Sequence, residues 1–162
     1  MHVNYRIANL ADLPAICALG SEVNLFHHVA LPDVFAQPNE PERDVEIWRK
    51  VVDGEQSVAF VAERSSTLIG FVTAELVDET LTLFHPARFC RVGTLGVVLA
   101  ERGRGIGSAL MAALEQWAIS HSASGAHLNV WKFNEAAIRL YVELGYEAKA
   151  QFMVKFLAPP AA

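Results

Sequence analysis

The sequence predicts an α/β fold: a single α+β domain built on one mixed sheet. The order of hydrophobic patterns is the first observation, because strand-like and helix-like segments alternate along the chain. Size is the second: 162 residues, 52% hydrophobic and 19% charged, provide for one sizeable core. The third is the lack of any internal repeat, linker or low-complexity segment in the sequence. We expect one domain over residues 1–157 and a disordered tail over residues 158–162.

The N-terminal half predicts a strand, two helices and a hairpin. Apolar and polar residues alternate over 3–7, which is typical of a strand. Asn9 and Asp12 form a helix-cap pattern with an apolar stripe behind it, which favours a helix over 11–26. Three prolines predict an irregular stretch over 27–41. Three segments follow: a short helix over 42–52, and two strands dense in Val, Phe, Ile and Leu over 57–63 and 68–77.

The C-terminal half predicts a further alternation of strands and helices. An apolar strand at 91–99 precedes a helix at 104–121, in which apolar residues recur at helical spacing. A strand over 126–131 leads to an amphipathic helix over 134–144, and Gly145 stands where a left-handed C-cap is expected. Closing strands are then predicted at 146–148 and 151–156. With the two N-terminal helices, about four helices should flank the sheet.

Composition argues against several classes of protein. The net charge of −5 gives little support for a nucleic-acid binder. The chain has no apolar run of about 18 residues and no signal-peptide pattern at its start, so no membrane association is expected. Cys17 and Cys90 do not form a Cys-x-x-Cys pair, which indicates neither a zinc site nor a disulfide framework. We therefore expect a cytoplasmic protein without a metal.

A glycine-rich turn gives the strongest functional signal. Gly103, Gly105 and Gly107 lie between a predicted strand and a predicted helix. Glycine lets the backbone approach a ligand closely, and the start of a helix offers unpaired N–H groups with a positive dipole end. Arg102 and Arg104 add positive charge beside these groups. The pattern indicates a pyrophosphate site, with a plain tight turn and exposed arginines as the alternative.

Two other phosphate motifs fit the turn poorly. A P-loop needs a lysine before the Ser or Thr, but here Gly107 precedes Ser108 directly. A dinucleotide fingerprint opens the first βα unit of its domain, whereas this turn comes late in the chain.

The residues around the turn resemble the GNAT superfamily of N-acetyltransferases. The signature of that family is Gln or Arg, two residues, Gly, one residue, then Gly or Ala, and here it is Arg102-Gly103-Arg104-Gly105-Ile106-Gly107. The likeness covers the C-terminal half and includes Leu95-Gly96-Val97-Val98-Leu99, Leu128-Asn129-Val130, Asn134, Ala137, Leu140-Tyr141 and Leu144-Gly145-Tyr146.

The resemblance implies transfer of an acetyl group from acetyl-coenzyme A to an amine by direct attack on the thioester. It also implies a mostly antiparallel sheet whose parallel fourth and fifth strands splay apart to admit the pantetheine arm. The turn would hold the pyrophosphate, Asn134 would hydrogen-bond the cofactor, and Tyr141 would lie near the sulfur. The implied cofactor-binding residues are Val97, Val98, Leu99, Arg102, Gly103, Arg104, Gly105, Ile106, Gly107, Ser108, Asn134 and Tyr141.

Acetyl transfer to an amine needs an oxyanion donor, an acid and a base. The amide of Val97 is a candidate oxyanion donor, and Tyr141 is the candidate acid for the leaving thiolate. Glu75, a carboxylate on an otherwise apolar strand, is the candidate base. Many members of the family place a glutamate on the strand before the turn, but residues 92–96 contain none, which favours a proton relay through water.

The acceptor is an unidentified amine, and its site should involve the first-half helices and loop. The polar candidates there are Glu22, Asn24, His27, His28 and Asp33, with His85 of similar standing. Two alternative functions stay open: a non-catalytic acyl-coenzyme A sensor, and a nucleotide binder using the same turn. Residues 151–156 are a candidate edge for a homodimer.

Overall fold

The computed structural model describes residues 2–155 and residue 157. Within these residues, a five-stranded mixed sheet forms the centre of the fold. The strands lie in chain order, antiparallel throughout except for the parallel pair β4–β5, which confirms the predicted mostly antiparallel sheet. The strands are β1 (Asn4–Ile7), β2 (Ser57–Arg64), β3 (Thr67–Glu79), β4 (Ala87–Val97) and β5 (Ala126–His127). The helices are α1 (Leu13–Ala30), α2 (Val45–Val52), α3 (Ile106–Ser120) and α4 (Glu135–Glu143).

Both faces of the sheet are covered, so two hydrophobic cores form. Strand β2 shows the division, because Val58 and Phe60 pack on one face while Ala59 and Val61 pack on the other. The first face holds α3 with partly buried residues of α4, and the second holds α1 and α2. Burial on both faces explains why the central strands are almost continuously apolar instead of alternating.

A capping box fixes the entry to α1, as the sequence predicts. The side chain of Asn9 accepts a hydrogen bond from the N–H of Ala11 (2.9 Å), and the Asp12 carboxylate accepts one from the N–H of Asn9 (2.8 Å). Arg6 of β1 donates two further bonds to Asp12, at 2.7 and 2.9 Å. Chiefly through this pairing with Arg6, the pKa of the nearly buried Asp12 carboxyl is held below its ordinary value.

Replacing Asp12 by asparagine should lower the free energy of unfolding at pH 7 by about 2 kcal/mol, because the ion pair is lost. Since the folded-state pKa is lowered, this stabilisation is complete above about pH 4 and disappears as the pH falls through the folded-state value. Urea unfolding from pH 3 to 7 measures the difference. Asp78, whose partner Arg88 is exposed like itself, is the control and should change stability little when replaced. A difference from wild type that stays constant across this pH range would contradict the assignment.

Helix α1 is longer than predicted. It continues to Ala30, beyond the predicted end at residue 26, because the first proline after it is Pro32. His27 and His28 therefore lie in its last turn and not in an irregular loop. Strand β4 also begins earlier than predicted, at Ala87.

The end of the sheet differs from the prediction. Strand β5 keeps only two residues of the predicted 126–131, and no strand forms over the described residues 146–155. The predicted closing strands are therefore wrong over this range, and Phe156 lies outside the described residues. A two-residue β5 offers too short an edge for another strand to pair with. The predicted tail at 158–162 also lies outside the described residues.

Across residues 2–155 and 157, every helix is too short or too polar to cross a bilayer. The same residues contain no cluster of three or more His, Cys, Asp or Glu side chains placed to hold a metal ion.

Candidate active site

A cleft opens where β4 and β5 separate. The two strands pair only at Cys90 with Ala126 and at Arg91 with His127, and beyond these pairs they diverge. The divergence leaves a cleft of about 250 Å³, as predicted for splayed fourth and fifth strands. Its lining residues come from α1, the segment after α1, β4, residues 129–134 and α4: Val23, Asn24, His27, Phe35, Gly93, Thr94, Leu95, Asn129, Val130, Trp131, Asn134, Ala137 and Tyr141.

A β-bulge in β4 forms one wall of this cleft. Val72 pairs with Leu95 and Ala74 with Val92, so two residues of β4, Gly93 and Thr94, oppose one residue of β3. That residue, Thr73, accepts a hydrogen bond from the N–H of Thr94 at its hydroxyl (2.9 Å). A bulge bends its strand, so it helps to turn β4 away from β5.

Only glycine fits at the first position of the bulge. A Cβ atom on Gly93 would lie 2.6 Å from the Thr73 hydroxyl oxygen, well inside van der Waals contact. The Gly93–Thr73 packing therefore keeps the bulge in place beside the cleft.

The end of β4 presents backbone groups to the open side. Val98 donates its N–H to the carbonyl of Ile69 on β3 (3.0 Å). Because successive residues of a strand point their N–H groups to opposite sides, Val97, the last residue of β4, directs its N–H away from β3, towards the opening. The Arg102 guanidinium donates to the carbonyl of Val97 (2.9 Å), which ties the following turn to the end of β4.

The glycine-rich turn follows directly. Gly103 and Gly105 have φ values of +73° and +78°, the left-handed region that favours glycine. Gly105 is the N-cap of α3, and the first intrahelical bond runs from the N–H of Ala109 to its carbonyl (3.0 Å). The N–H groups of residues 106–108 are therefore available to an anion.

An ion pair fastens this turn to the sheet. Arg64, at the end of β2, donates to the Glu101 carboxylate at 2.5 Å. The second oxygen of Glu101 lies 3.7 Å from the guanidinium of Arg104, whose side chain is otherwise exposed. Arg104 is thereby held beside the N-terminus of α3, with donors left over for phosphate oxygens.

Helix α4 brings the predicted asparagine and tyrosine into the cleft. The side-chain oxygen of Asn134 caps α4 by accepting from the N–H of Ala137 (3.2 Å), so its amide NH₂ group is left to donate to a ligand. The ring of Tyr141 packs 5.8 Å from that of Tyr146. Burial raises the pKa of Tyr141, so its phenol keeps its proton at neutral pH. No described residue hydrogen-bonds the Tyr141 hydroxyl.

Glu75 lies apart from this group. It is on β3, and its carboxylate accepts two bonds from Arg91 of β4, at 2.5 and 2.9 Å. The side chain is 49% exposed and is not part of the cleft lining. The structure therefore does not bring Glu75 together with Asn134 and Tyr141.

An aromatic cluster closes the other end of the cleft. The imidazole of His27 lies 5.7 Å from the ring of Phe26, 5.0 Å from that of Phe35 and 5.5 Å from that of Phe133. Phe35 also contacts Trp131 at 5.1 Å, so α1 and the segment after β5 meet across the cleft. His28 fixes the position of Phe35, because its Nδ1 lies 2.7 Å from the Phe35 carbonyl oxygen.

The polar candidates for acceptor binding divide into two groups. Asn24 and His27 line the cleft, and Asn24 is held by a bond to Asp44 (3.0 Å). The other four are not among its lining residues: Glu22, Asp33 and His85 are exposed, and His28 is half-buried.

Sequence reasoning missed several lining residues, among them Phe35 and the bulge at Gly93–Thr94. Trp131 lines the cleft as well. The sequence signal that marks this end of the cleft is the pair His27-His28 just before a stretch rich in proline.

A second hollow of about 360 Å³ lies between α1 and α2, away from the splayed strands. Its walls are mainly apolar, and neither the glycine turn nor the open edge of β4 contributes to them. Its lining residues are Leu10, Leu13, Pro14, Cys17, Val45 and Arg49.

Comparison with known proteins agrees with this geometry. Residues 23–146 match the model of the Acetyltransferase (GNAT) family. An acetyltransferase from Pectobacterium atrosepticum is 30% identical over 115 residues, which span 71% of this chain and 73% of that protein. The structure of a mutant Bacillus halodurans protein is similar with a TM-score of 0.89 and 25% identity, covering 96% of this chain and 99% of the other. The structure of AAC(6')-Iy with the bisubstrate analogue CoA-S-monomethyl-acetylneamine has a TM-score of 0.78 at 14% identity, over 98% and 99% of the two chains.

Proposed function

This chain belongs to the GNAT family of acetyltransferases, and we propose that acetyl transfer takes place in its cleft. The acetyl group passes from acetyl-coenzyme A to a small-molecule primary amine, which attacks the thioester directly. Acetyl transfer from acetyl-coenzyme A to an amine follows from the family and its relatives. The observation that supports the cleft as the site is the grouping of three features: a half-buried phenol and an open strand edge line it, and a left-handed glycine turn follows the same strand.

The donor side of the cleft fits the parts of acetyl-coenzyme A. The N–H groups at the start of α3, with Arg102 and Arg104, suit the pyrophosphate. The open edge of β4 that ends at Val97, with Val98 and Leu99 after it, suits the pantetheine arm, which would run beside it as an added strand and leave the N–H of Val97 for the acetyl carbonyl. The free NH₂ of Asn134 suits a further cofactor oxygen.

The acetyl group arrives as a thioester, already activated for attack. The N–H of Val97 is directed into the opening, where it can stabilise the oxyanion that forms on the carbonyl. Tyr141 holds a proton that it can give to the departing sulfur. The thiol that forms has a pKa of about 8.5 if it resembles cysteine. Glu75 stays a prediction as the base, and its ion pair with Arg91 lends that role no support.

Cofactor binding is tested by thermal unfolding. At about 100 times its Kd, acetyl-coenzyme A should stabilise the fold by about 2.7 kcal/mol and raise Tm by roughly 5–10 °C. ATP should leave Tm within about 1 °C of its unliganded value if the turn is specific for coenzyme A. A rise with ATP and none with acetyl-coenzyme A would instead support the nucleotide-binding alternative.

Turnover is tested by release of free thiol from acetyl-coenzyme A in the presence of amines. Phenethylamine, spermidine and the aminoglycoside neamine sample apolar, linear polycationic and sugar-like acceptors. Tight cofactor binding with no release for any amine would favour the non-catalytic sensor. A cytoplasmic location, a single domain over 1–157 and a homodimer through residues 151–156 stay predictions.

A further inference from the structure

We propose that His27 is the base that takes the proton from the attacking amine. This inference rests on the proposed function. His27 and Tyr141 are the only titratable side chains among the described residues that line the cleft. Since Tyr141 serves the leaving sulfur, His27 is the group left to serve the amine.

The hydrogen bonding of His27 prepares it for this role. Its Nδ1 lies 2.8 Å from the carbonyl oxygen of Val23, one turn earlier in α1. A carbonyl oxygen only accepts, so Nδ1 must carry the hydrogen. In the neutral ring the lone pair is then on Nε2, and no described residue donates to it. A carbonyl bond of this kind fixes both the tautomer and the plane of the ring.

The aromatic neighbours hold the imidazole in place. Phe26, Phe35 and Phe133 all pack against it, at centroid distances between 5.0 and 5.7 Å. The other charged and titratable groups nearby do not face the cleft in the same way, since Asp44 binds Asn24 and Arg43 while His28 is not among the lining residues. His27 therefore competes with no other base at this end of the cleft.

The protons balance across the reaction. An acceptor that arrives as an ammonium ion gives one proton to Nε2, and His27 passes it to solvent through the open cleft. The amine nitrogen then forms its bond to the thioester carbon, and the C–S bond breaks as the intermediate collapses. The second amine proton goes to Nε2 of His27, while the phenol proton of Tyr141 goes to sulfur. Return of the proton from His27 to the Tyr141 phenolate through water restores both residues.

The aromatic walls carry a second inference, independent of the base. We infer that the acceptor is a primary amine borne on a flat apolar group. Phe35 and Trp131 meet edge to face across the cleft, and Phe26, which contacts His27, is 42% exposed. The described lining contains no carboxylate, so the additional charges of a polycation would have no counter-ion there. An aryl group would instead gain from burial and ring packing.

The base is tested with the best acceptor from the thiol-release panel. His27→Ala should lower kcat about 100-fold or more and leave the Kd for acetyl-coenzyme A unchanged. Free imidazole should restore part of the lost rate in this variant, since removal of the ring leaves a space between the surrounding aromatic residues. Mere packing by His27 predicts no such rescue.

His121→Ala is the matched control. His121 makes the same bond to a carbonyl one turn earlier, from Nδ1 to Trp117 at 2.8 Å, but lies at the end of α3 and is not part of the cleft lining. It should keep wild-type kcat. The proposal fails if His27→Ala stays within about twofold of wild type, or if imidazole restores nothing. A wild type that acetylates none of the amines would instead remove the proposed function itself.

The inference about the acceptor is tested by comparing kcat/KM between amines. Phenethylamine should show a kcat/KM at least about tenfold above that of spermidine, and Phe35→Ala should reduce this ratio. A preference for spermidine or neamine would overturn it while leaving His27 as the base.

Discussion

Replacing Tyr141 by phenylalanine is expected to lower kcat about 100-fold or more, with little change in the Kd for acetyl-coenzyme A. The variant keeps the ring that packs against Tyr146 and removes only the proton donor. Burial raises the pKa of this phenol above its ordinary value near 10, so the donor stays protonated throughout the neutral range. Thiol release measures kcat, and titration calorimetry measures the Kd.

Tyr146→Phe provides a matched control. Its hydroxyl donates to Glu115 at 2.8 Å, away from the cleft lining, and burial raises its pKa as well. Loss of this bond should reduce stability by about 1 kcal/mol and leave turnover intact. If Tyr141→Phe retains full turnover with an unchanged pH dependence, the phenol is not the acid.

Replacing Gly105 by alanine is expected to weaken acetyl-coenzyme A binding by about 10- to 100-fold, the equivalent of one or two lost hydrogen bonds to a charged group. The reason is conformational, because a Cβ atom at this position meets no protein atom within 4 Å but the φ of +78° penalises any side chain. Relief of that strain would rotate the amides at the start of α3 away from the phosphates. Isothermal titration calorimetry gives the change in Kd.

Gly145→Ala is the control that separates the effect of backbone strain from the effect on acetyl-coenzyme A binding. Gly145 has a φ of +91° and equally open surroundings, but it follows α4 and is not in the turn. Both variants should lose about 1 kcal/mol of stability, and only the Gly105 variant should lose cofactor affinity. Equal losses of affinity in the two would mean that general destabilisation, and not the turn, is responsible.

The sequence predicts most of the fold because the local signals agree with the tertiary structure. The cap at Asn9 and Asp12, the apolar hairpin and the left-handed Gly145 are all determined by nearby residues. The closing strands were predicted wrongly because strand propensity at residues 151–155 says nothing about a partner, and β5 ends at His127. Pairing is a long-range property that residue type alone does not specify.

The sequence likewise reveals some residues of the candidate site and not others. The glycine turn, Asn134 and Tyr141 follow one another closely enough to form a readable pattern. His27 was visible as a polar candidate, but its role depends on Val23 and on aromatic rings from residues 35 and 133. The bulge at Gly93 depends on Thr73 of another strand. Contacts between residues so distant in sequence appear only once the chain has folded.

The two cores on opposite faces of the sheet have a consequence for how such a protein can diversify. Residues of α1 and its following segment form the acceptor end of the cleft, whereas the start of α3 and the N-cap of α4 form the donor end. Because these elements pack into separate cores, substitutions that reshape one end disturb the packing of the other very little. Residues of α1 and its following segment other than His27 can therefore drift towards new amine specificities while the groups that hold the thioester are inherited unchanged.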